Sequence, residues 1–209
     1  MSKLINYILN ILFPTECLSC GTPGPDICDG CIDHILPPKE QNYPWITSLG
    51  NYHDEIVRKI MWHIKKQPNG RAAVILAKAF GEMIKNRPED PTSWILIPIP
   101  ISHQRFSERG YNQAELLATS LSKIFNLKTL PILIKSRHTN KQGTSKSREE
   151  RMYNITGSFG IYKKSQALIA GKNCILIDDI TTTGSTLIEA RDTLLRAGAN
   201  KVLAWTIAN

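Results

Sequence analysis

The chain has 209 residues, 42% of them hydrophobic and 21% charged. That apolar content suits one ordinary globular domain with a small appendage and excludes an intrinsically disordered protein. Lys and Arg number 26 against 18 acidic residues, a net charge of +8, which favours anionic partners such as nucleic acid, nucleotides, pyrophosphate or an acidic membrane face without choosing among them.

Residues 4 to 13 are apolar but too few to span a bilayer, and no small-residue cleavage site follows before Pro14. They are expected to form an amphipathic helix, with Leu4, Ile8 and Ile11 or Leu12 on one side, that packs on the body or a partner. Contact with a membrane surface is the alternative, although Lys3 is the only charge nearby. The expected location is the cytoplasm, with peripheral attachment at the inner face of the membrane as a variant.

Cys17, Cys20, Cys28 and Cys31 form two Cys-x-x-Cys knuckles with seven residues between them, set among Gly21, Pro23, Gly24, Pro25 and Gly30. Four thiolates from two tight turns suit a tetrahedral structural Zn²⁺, and so short a segment has little apolar content to fold on without one. Disulfides are the competing reading, opposed by the lack of a secretory signal and by a fifth cysteine, Cys174, in a strand expected to be buried. Pro37, Pro38 and Pro44 mark a linker, so residues 1–44 are expected to form the helix and metal module and residues 45–209 the main domain.

That domain opens with a strand at 46–52 and a helix at 53–64, whose inner side carries Ile56, Ile60 and Ile64. A turn at Pro68-Asn69-Gly70 precedes a second helix from Arg71 to about Lys85. Lys65, Lys66 and Arg71 are candidates to face a pyrophosphate, with a solvated turn as the bland reading. Trp94 to Ile97 reads as a buried strand. Pro98 and Pro100 then force the backbone out of the sheet at its carboxyl edge, where open α/β sheets bind ligands. Arg105 and Arg109 follow, and two guanidiniums there suit a pyrophosphate by bidentate contacts. A helix of Ala114, Leu117, Ala118 and Leu121 comes next, then a strand at Ile132 to Ile134. Residues 136–158 are polar, with Arg137, Lys141, Lys146, Arg148 and Arg151 against Glu149 and Glu150, and read as a functional loop.

The stretch from Cys174 to Thr186 organises the rest. Four apolar residues, Cys174 to Ile177, read as a strand buried on both faces that stops at Asp178 and Asp179. Thr181, Thr182, Thr183, Gly184, Ser185 and Thr186 then lead into a helix carrying Leu187, Ile188, Ala190, Leu194 and Leu195. A turn of this kind aims successive amides and a helix N-terminus at one spot, which suits a phosphate, and the two acids beside it suit the vicinal hydroxyls of a sugar. A last strand, Val202 to Ile207, follows a helix end at Gly198.

The run from Cys174 to Thr186 resembles the signature of type I phosphoribosyltransferases, with Thr181 where many members carry an aliphatic residue. The resemblance implies that Asp178 and Asp179 meet the ribose hydroxyls of phosphoribosyl pyrophosphate (PRPP) and that Thr181 to Thr186 hold its 5-phosphate, with Mg²⁺ accompanying the pyrophosphate. The run Pro98-Ile99-Pro100-Ile101, with Arg105 and Glu108-Arg109-Gly110-Tyr111-Asn112-Gln113-Ala114, is similar to the hallmark of the ComF family of competence proteins, which carry an N-terminal four-cysteine module. Arg137, Thr139, Gln142, Arg151, Asn154 and Phe159 also fall on positions similar in that family, where the loop covers the active site. The fold expected is thus α/β, with a mainly parallel, phosphoribosyltransferase-like sheet and flanking helices beside a small zinc module.

On this resemblance Asp178, Asp179, Arg105 and Arg109 are the catalytic candidates. Lys65, Arg71, Ile101, Ser102, Arg137, Lys141, Arg148 and Arg151 form the pyrophosphate side and the loop. The expected role is PRPP-linked handling of incoming single-stranded DNA, with a helicase or recombination protein as partner. An active phosphoribosyltransferase with an unidentified acceptor is the alternative. Tyr111, Tyr153 and Phe159 are candidates for stacking on bases, against a core role for each.

Overall fold

The computed structural model of the protein describes residues 16–25, 27–35, 43–66, 71–84, 94–135 and 153–209. In chain order the strands are β1 (Ile46–Gly50), β2 (Trp94–Pro98), β3 (Lys128–Thr129), β4 (Leu133–Lys135), β5 (Tyr153–Thr156), β6 (Phe159–Tyr162), β7 (Asn173–Ile180) and β8 (Lys201–Ala208). The helices are α1 (Asp29–Asp33), α2 (Glu55–Lys66), α3 (Arg71–Ile84), α4 (His103–Arg109), α5 (Gln113–Phe125), α6 (Gln166–Ile169) and α7 (Ser185–Arg196).

Five strands form an all-parallel sheet in the order β1-β8-β7-β2-β3, and β4, β6 and β5 form a separate antiparallel sheet. The central strands are continuous apolar runs because both faces are covered: Cys174, Leu176 and Ile177 have no exposed surface. Successive residues of β7 face opposite sides of the sheet, with the period of a strand. Ile175 and Ile177 pack into a cluster with Ile60 and Ile64 of α2, Phe80 of α3 and Leu117 and Leu121 of α5. Cys174 and Leu176 pack into the other cluster, with Leu187 and Ala190 of α7 and Phe159 and Ile161 of β6. Each fully buried aliphatic side chain contributes about 1.5–3 kcal/mol.

The chain leaves β2 toward β3 on one side and leaves β7 toward β8 on the other, so successive connections diverge between β2 and β7. Such a reversal opens a crevice outside the carboxyl ends of the two strands, and ligands bind there in open α/β sheets. Pro98 and Ile177 are in register at that edge, which places the segment after β2 beside the two acids.

Three differences from the expected elements have local causes. β7 does not stop at the acids but pairs with β8 through Ile180, since its backbone keeps its partners after its side chains turn polar. The segment after Pro100 holds a helix, α4, capped by Ser102 and closed by Gly110 at φ 77°. It has no apolar period to announce it because none of its residues is buried. The end of the expected loop is a hairpin, β5 and β6, turning at Gly157 with φ 74°, too short for its alternation to stand out. Residues 136–152, the N-terminal helix, the linker at 36–42 and the turn at 67–70 lie outside the described residues.

The four-cysteine segment is not an isolated appendage. Cys17, Ile27 and Cys31 are buried in the same cluster as Ile60, Phe80 and Trp205, with Ile32 and Ile35 packed at its edge. A second tie crosses the domain at the other end of α2, where the Tyr111 hydroxyl donates a 2.6 Å hydrogen bond to the Ile64 carbonyl. Tyr111→Phe is expected to cost about 1 kcal/mol, read as a fall in the denaturant midpoint without a change of slope.

Candidate functional site

β7 delivers Asp178 and Asp179 to the crevice between β2 and β7, and strand alternation sends them to opposite faces of the sheet. Asp179 lies on the α2 side, where its Oδ2 is 3.6 Å from the Lys65 ammonium; the two side chains are 23% and 30% exposed. Asp178 lies on the α7 side, in register with Thr206 of β8, itself in register with Ser48 of β1. The Ser48 and Thr206 hydroxyls are 2.7 Å apart and buried, so a polar row crosses three strands and ends at Asp178.

Burial and the adjacent charge of Asp179 push the Asp178 carboxyl well above the usual carboxylate range. The amide of Asp179, which donates to Asp178 Oδ1 at 2.8 Å, and the charge of Lys135 at the end of β4 act in the opposite sense. A strained pair of acids is thus held at the sheet edge with one cation on each face.

The loop after β7 splits into an anchor and a cradle. Thr181 is buried and its amide donates to the Ala208 carbonyl at 2.9 Å, so this residue fixes the loop to β8 instead of facing the crevice. Thr182, Thr183, Ser185 and Thr186 are exposed. Among the described residues the amides of Thr182, Thr183 and Gly184 have no acceptor, while that of Ser185 turns back to Thr183 Oγ1 at 3.3 Å. Gly184 has φ 79°, and a Cβ there would lie 3.1 Å from the Tyr43 ring. Gly184→Ala should therefore cost about 1–2 kcal/mol for the left-handed backbone, plus the displacement of Tyr43, measurable by denaturant unfolding.

On the β2 side Ser102 caps α4 by accepting the Arg105 amide at 3.3 Å, and Ile101 and Ser102 are partly buried at the strand end. Asn112 caps α5 and donates to the Ile99 carbonyl at 2.9 Å, pinning both ends of the insertion that carries Arg105 and Arg109. Arg105 is exposed and Arg109 partly so, and neither makes an ion pair among the described residues. Arg71 opens α3, but its side chain lies outside the described residues, as do Arg137, Lys141, Arg148 and Arg151. Two stacking candidates have other duties: Phe159 is 1% exposed and belongs to the core, and the Tyr111 hydroxyl is held by Ile64. The Tyr153 side chain is not described.

Several contacts at the site have no distinctive sequence signal. Tyr43 sits in what reads as linker yet covers Gly184. Lys135 precedes the polar loop by one residue, and its cationic position at a strand end is the signal that would have found it. Glu189 of α7 accepts the amide of Ser158, joining the helix behind the cradle to the β5–β6 turn.

At the other end of the domain the sulfurs of Cys17, Cys20, Cys28 and Cys31 all lie within 4.8 Å of one another. Cys17 and Cys31 are 3.7 Å apart, as are Cys20 and Cys28. Four sulfurs about 2.3 Å from one ion stand about 3.8 Å from each other in a tetrahedron, so the donor set and its spacing fit zinc. Burial of Cys17 is outweighed by amide hydrogen bonds from Cys20, Cys28 and Ser19 that lower its thiol to about 6, whereas at Cys31 a hydrogen bond from Ser19 is outweighed by the neighbouring Cys28 thiol and by burial, which push it up to about 12.

Residues 111–209 match the family model described as the phosphoribosyl transferase domain. The strand that ends in the paired acids, the hydroxyl-rich loop after it and the last parallel strand all fall within that span. Competence protein F of Haemophilus influenzae is 34% identical over 114 residues, covering 54% of this chain and 49% of that protein. Competence protein ComFC of Bacillus subtilis is 37% identical over 115 residues, covering 54% and 44%. DNA utilization protein YhgH of Salmonella typhi is 26% identical over 200 residues, covering 91% and 82%. A four-cysteine cluster lies at the N-terminal side, and over these spans the chain is similar to competence proteins and to a DNA utilization protein. The matched span is about half the length of the first two relatives. Among the described residues no helix is long and apolar enough to cross a membrane.

Proposed function

We propose that the protein binds PRPP with Mg²⁺ at the β2/β7 crevice and handles single-stranded DNA during its uptake or use. The observation that carries the first part is the cradle: three amides without an acceptor among the described residues, next to two carboxylates at the reversal point of the sheet. Names of the relatives, competence proteins and a DNA utilization protein, support the second.

In this reading Thr182 to Thr186 hold the 5-phosphate through amides and hydroxyls, and Thr181 acts as the anchor that keeps them aimed. Asp178 and Asp179 accept hydrogen bonds from the ribose hydroxyls, where Lys65 is already poised to meet the pyrophosphate. Mg²⁺, a hard cation suited to carboxylate and phosphate oxygens, neutralises the charge that would otherwise oppose a second phosphate near the acids. Arg105 and Arg109, without ion-pair partners among the described residues, stabilise pyrophosphate, and Arg137, Lys141, Arg148 and Arg151 are the candidates to add to that charge. A single Zn²⁺ on Cys17, Cys20, Cys28 and Cys31 holds the N-terminal module on the domain.

Whether pyrophosphate leaves separates a binding protein from a transferase. The test is pyrophosphate release from PRPP with Mg²⁺ across nucleobases, nucleotides and oligonucleotides, beside filter binding of an oligo-dT strand at low salt. Strand binding with no release above the rate of the Asp178→Asn, Asp179→Asn variant supports the first reading. Acceptor-dependent release without strand binding would replace it by a metabolic transferase.

A further inference from the structure

Two large aromatic side chains are left on the surface by helices that the fold joins end to end. Trp62 of α2 is 63% exposed and Phe106 of α4 is 50% exposed. The C-terminal ends of these helices are tied by the Tyr111 hydroxyl on the Ile64 carbonyl. Along α2, Arg58 and Lys66 lie four residues before and after Trp62, which puts all three on one face. Trp62, Arg58 and Lys59 line a groove of about 430 Å³ that is bounded by Leu18 of the four-cysteine segment and also by Glu55 and His63.

Charge selects the occupant. α2 carries Arg58, Lys59, Lys65 and Lys66 against Glu55 alone, and α4 carries Arg105 and Arg109 against Glu108 alone. Both acids are engaged within their helices, Glu55 with Lys59 at 3.1 Å and Glu108 with Gln104 at 3.0 Å. Exposed aromatic rings separated by cations are what single strands require, since every base has a face to stack and every link a phosphate to neutralise. A duplex hides its bases and gains nothing from the rings.

We infer that a single-stranded nucleic acid runs along α2 and across α4, with bases stacked on Trp62 and Phe106 and phosphates on Arg58 and Lys66, while Lys59 is held by Glu55 and the Ser19 carbonyl. This rests on the DNA-handling part of the proposed function and gives it a surface. The track ends at the sugar-phosphate crevice, because Lys65 of the same helix meets Asp179. PRPP and the strand therefore share α2.

Fluorescence anisotropy of a labelled oligo-dT strand, with wild type, Trp62→Ala, Phe106→Ala and the double variant of the full chain, tests the track. Each single variant is expected to weaken binding at least about fivefold, the loss of one stacked base, while calorimetric affinity for PRPP with Mg²⁺ stays at the wild-type value. Wild-type binding that the double variant leaves intact overturns this surface while DNA handling stands. No binding by the wild type overturns both. Duplex binding as tight as single-strand binding, or a groove that retains a peptide instead of the strand, likewise contradicts the assignment.

Discussion

Asp178→Asn is expected to abolish measurable PRPP binding and, in the same protein without ligand, to raise the melting temperature at neutral pH. The carboxyl of Asp178 is pushed up by burial and by the charge of Asp179, so the folded chain holds this proton more tightly than the unfolded chain does. Stability contributed by the protonated form is complete below the ordinary aspartate value, near 4. It is lost as pH climbs toward the raised folded value, because the unfolded state releases the proton first. The amide removes that loss. Relief of about 1 kcal/mol would appear as roughly 2–4 °C in a domain of this size, and the gain should shrink as the pH is lowered through the carboxylate range. Asp179→Asn behaves differently, since Asp179 already has Lys65 as a counter-charge. A variant that gains stability while losing its ligand marks a side chain kept for function at the expense of the fold.

Removal of the metal should have the largest structural effect. The cysteine cluster is built into the core, with Cys17, Ile27 and Cys31 buried beside Ile60, Phe80 and Trp205. Apparent binding free energies for structural zinc in small modules are about 10–16 kcal/mol, so a strong chelator should lower the melting temperature by more than 10 °C and expose α2. Cys31→Ser should reproduce the loss, and elemental analysis of the intact protein should return one zinc per chain. Cys174→Ser is the control that leaves zinc in place. A chelated protein that melts with unchanged cooperativity and temperature would mean that the four sulfurs serve no metal.

Much of this organisation is legible in the residues, for identifiable reasons. Strand β2 and the Cys174–Ile177 part of β7 are unbroken apolar runs because both their faces are covered, and such runs stand out against their polar flanks. The acid pair and the hydroxyl-rich turn sit where a strand becomes a helix, so their neighbourhood can be inferred from sequence order alone. The four cysteines declare themselves by spacing. What sequence does not carry is the relation between distant segments. Nothing in Tyr43 says that it covers Gly184, and nothing in Tyr111 says that its hydroxyl meets a carbonyl 47 residues earlier. Helix α4 escapes notice because all its residues face outward, leaving no periodicity to read. Thr181 sits beside the exposed hydroxyls of the turn, and nothing in its neighbours announces its burial or the bond of its amide to Ala208. Strand alternation separates Asp178 from Asp179, which look equivalent in sequence and stand on opposite faces of the sheet.

Recognition of a phosphorylated pentose by the acid pair and the amides beyond it is tested directly by calorimetric titration of the zinc-loaded protein with PRPP. With Mg²⁺ the expected result is saturable binding at one site per chain, much weaker when Mg²⁺ is withheld and lost in the Asp178→Asn, Asp179→Asn variant. Absence of binding at millimolar PRPP, or binding that the variant retains in full, would contradict it.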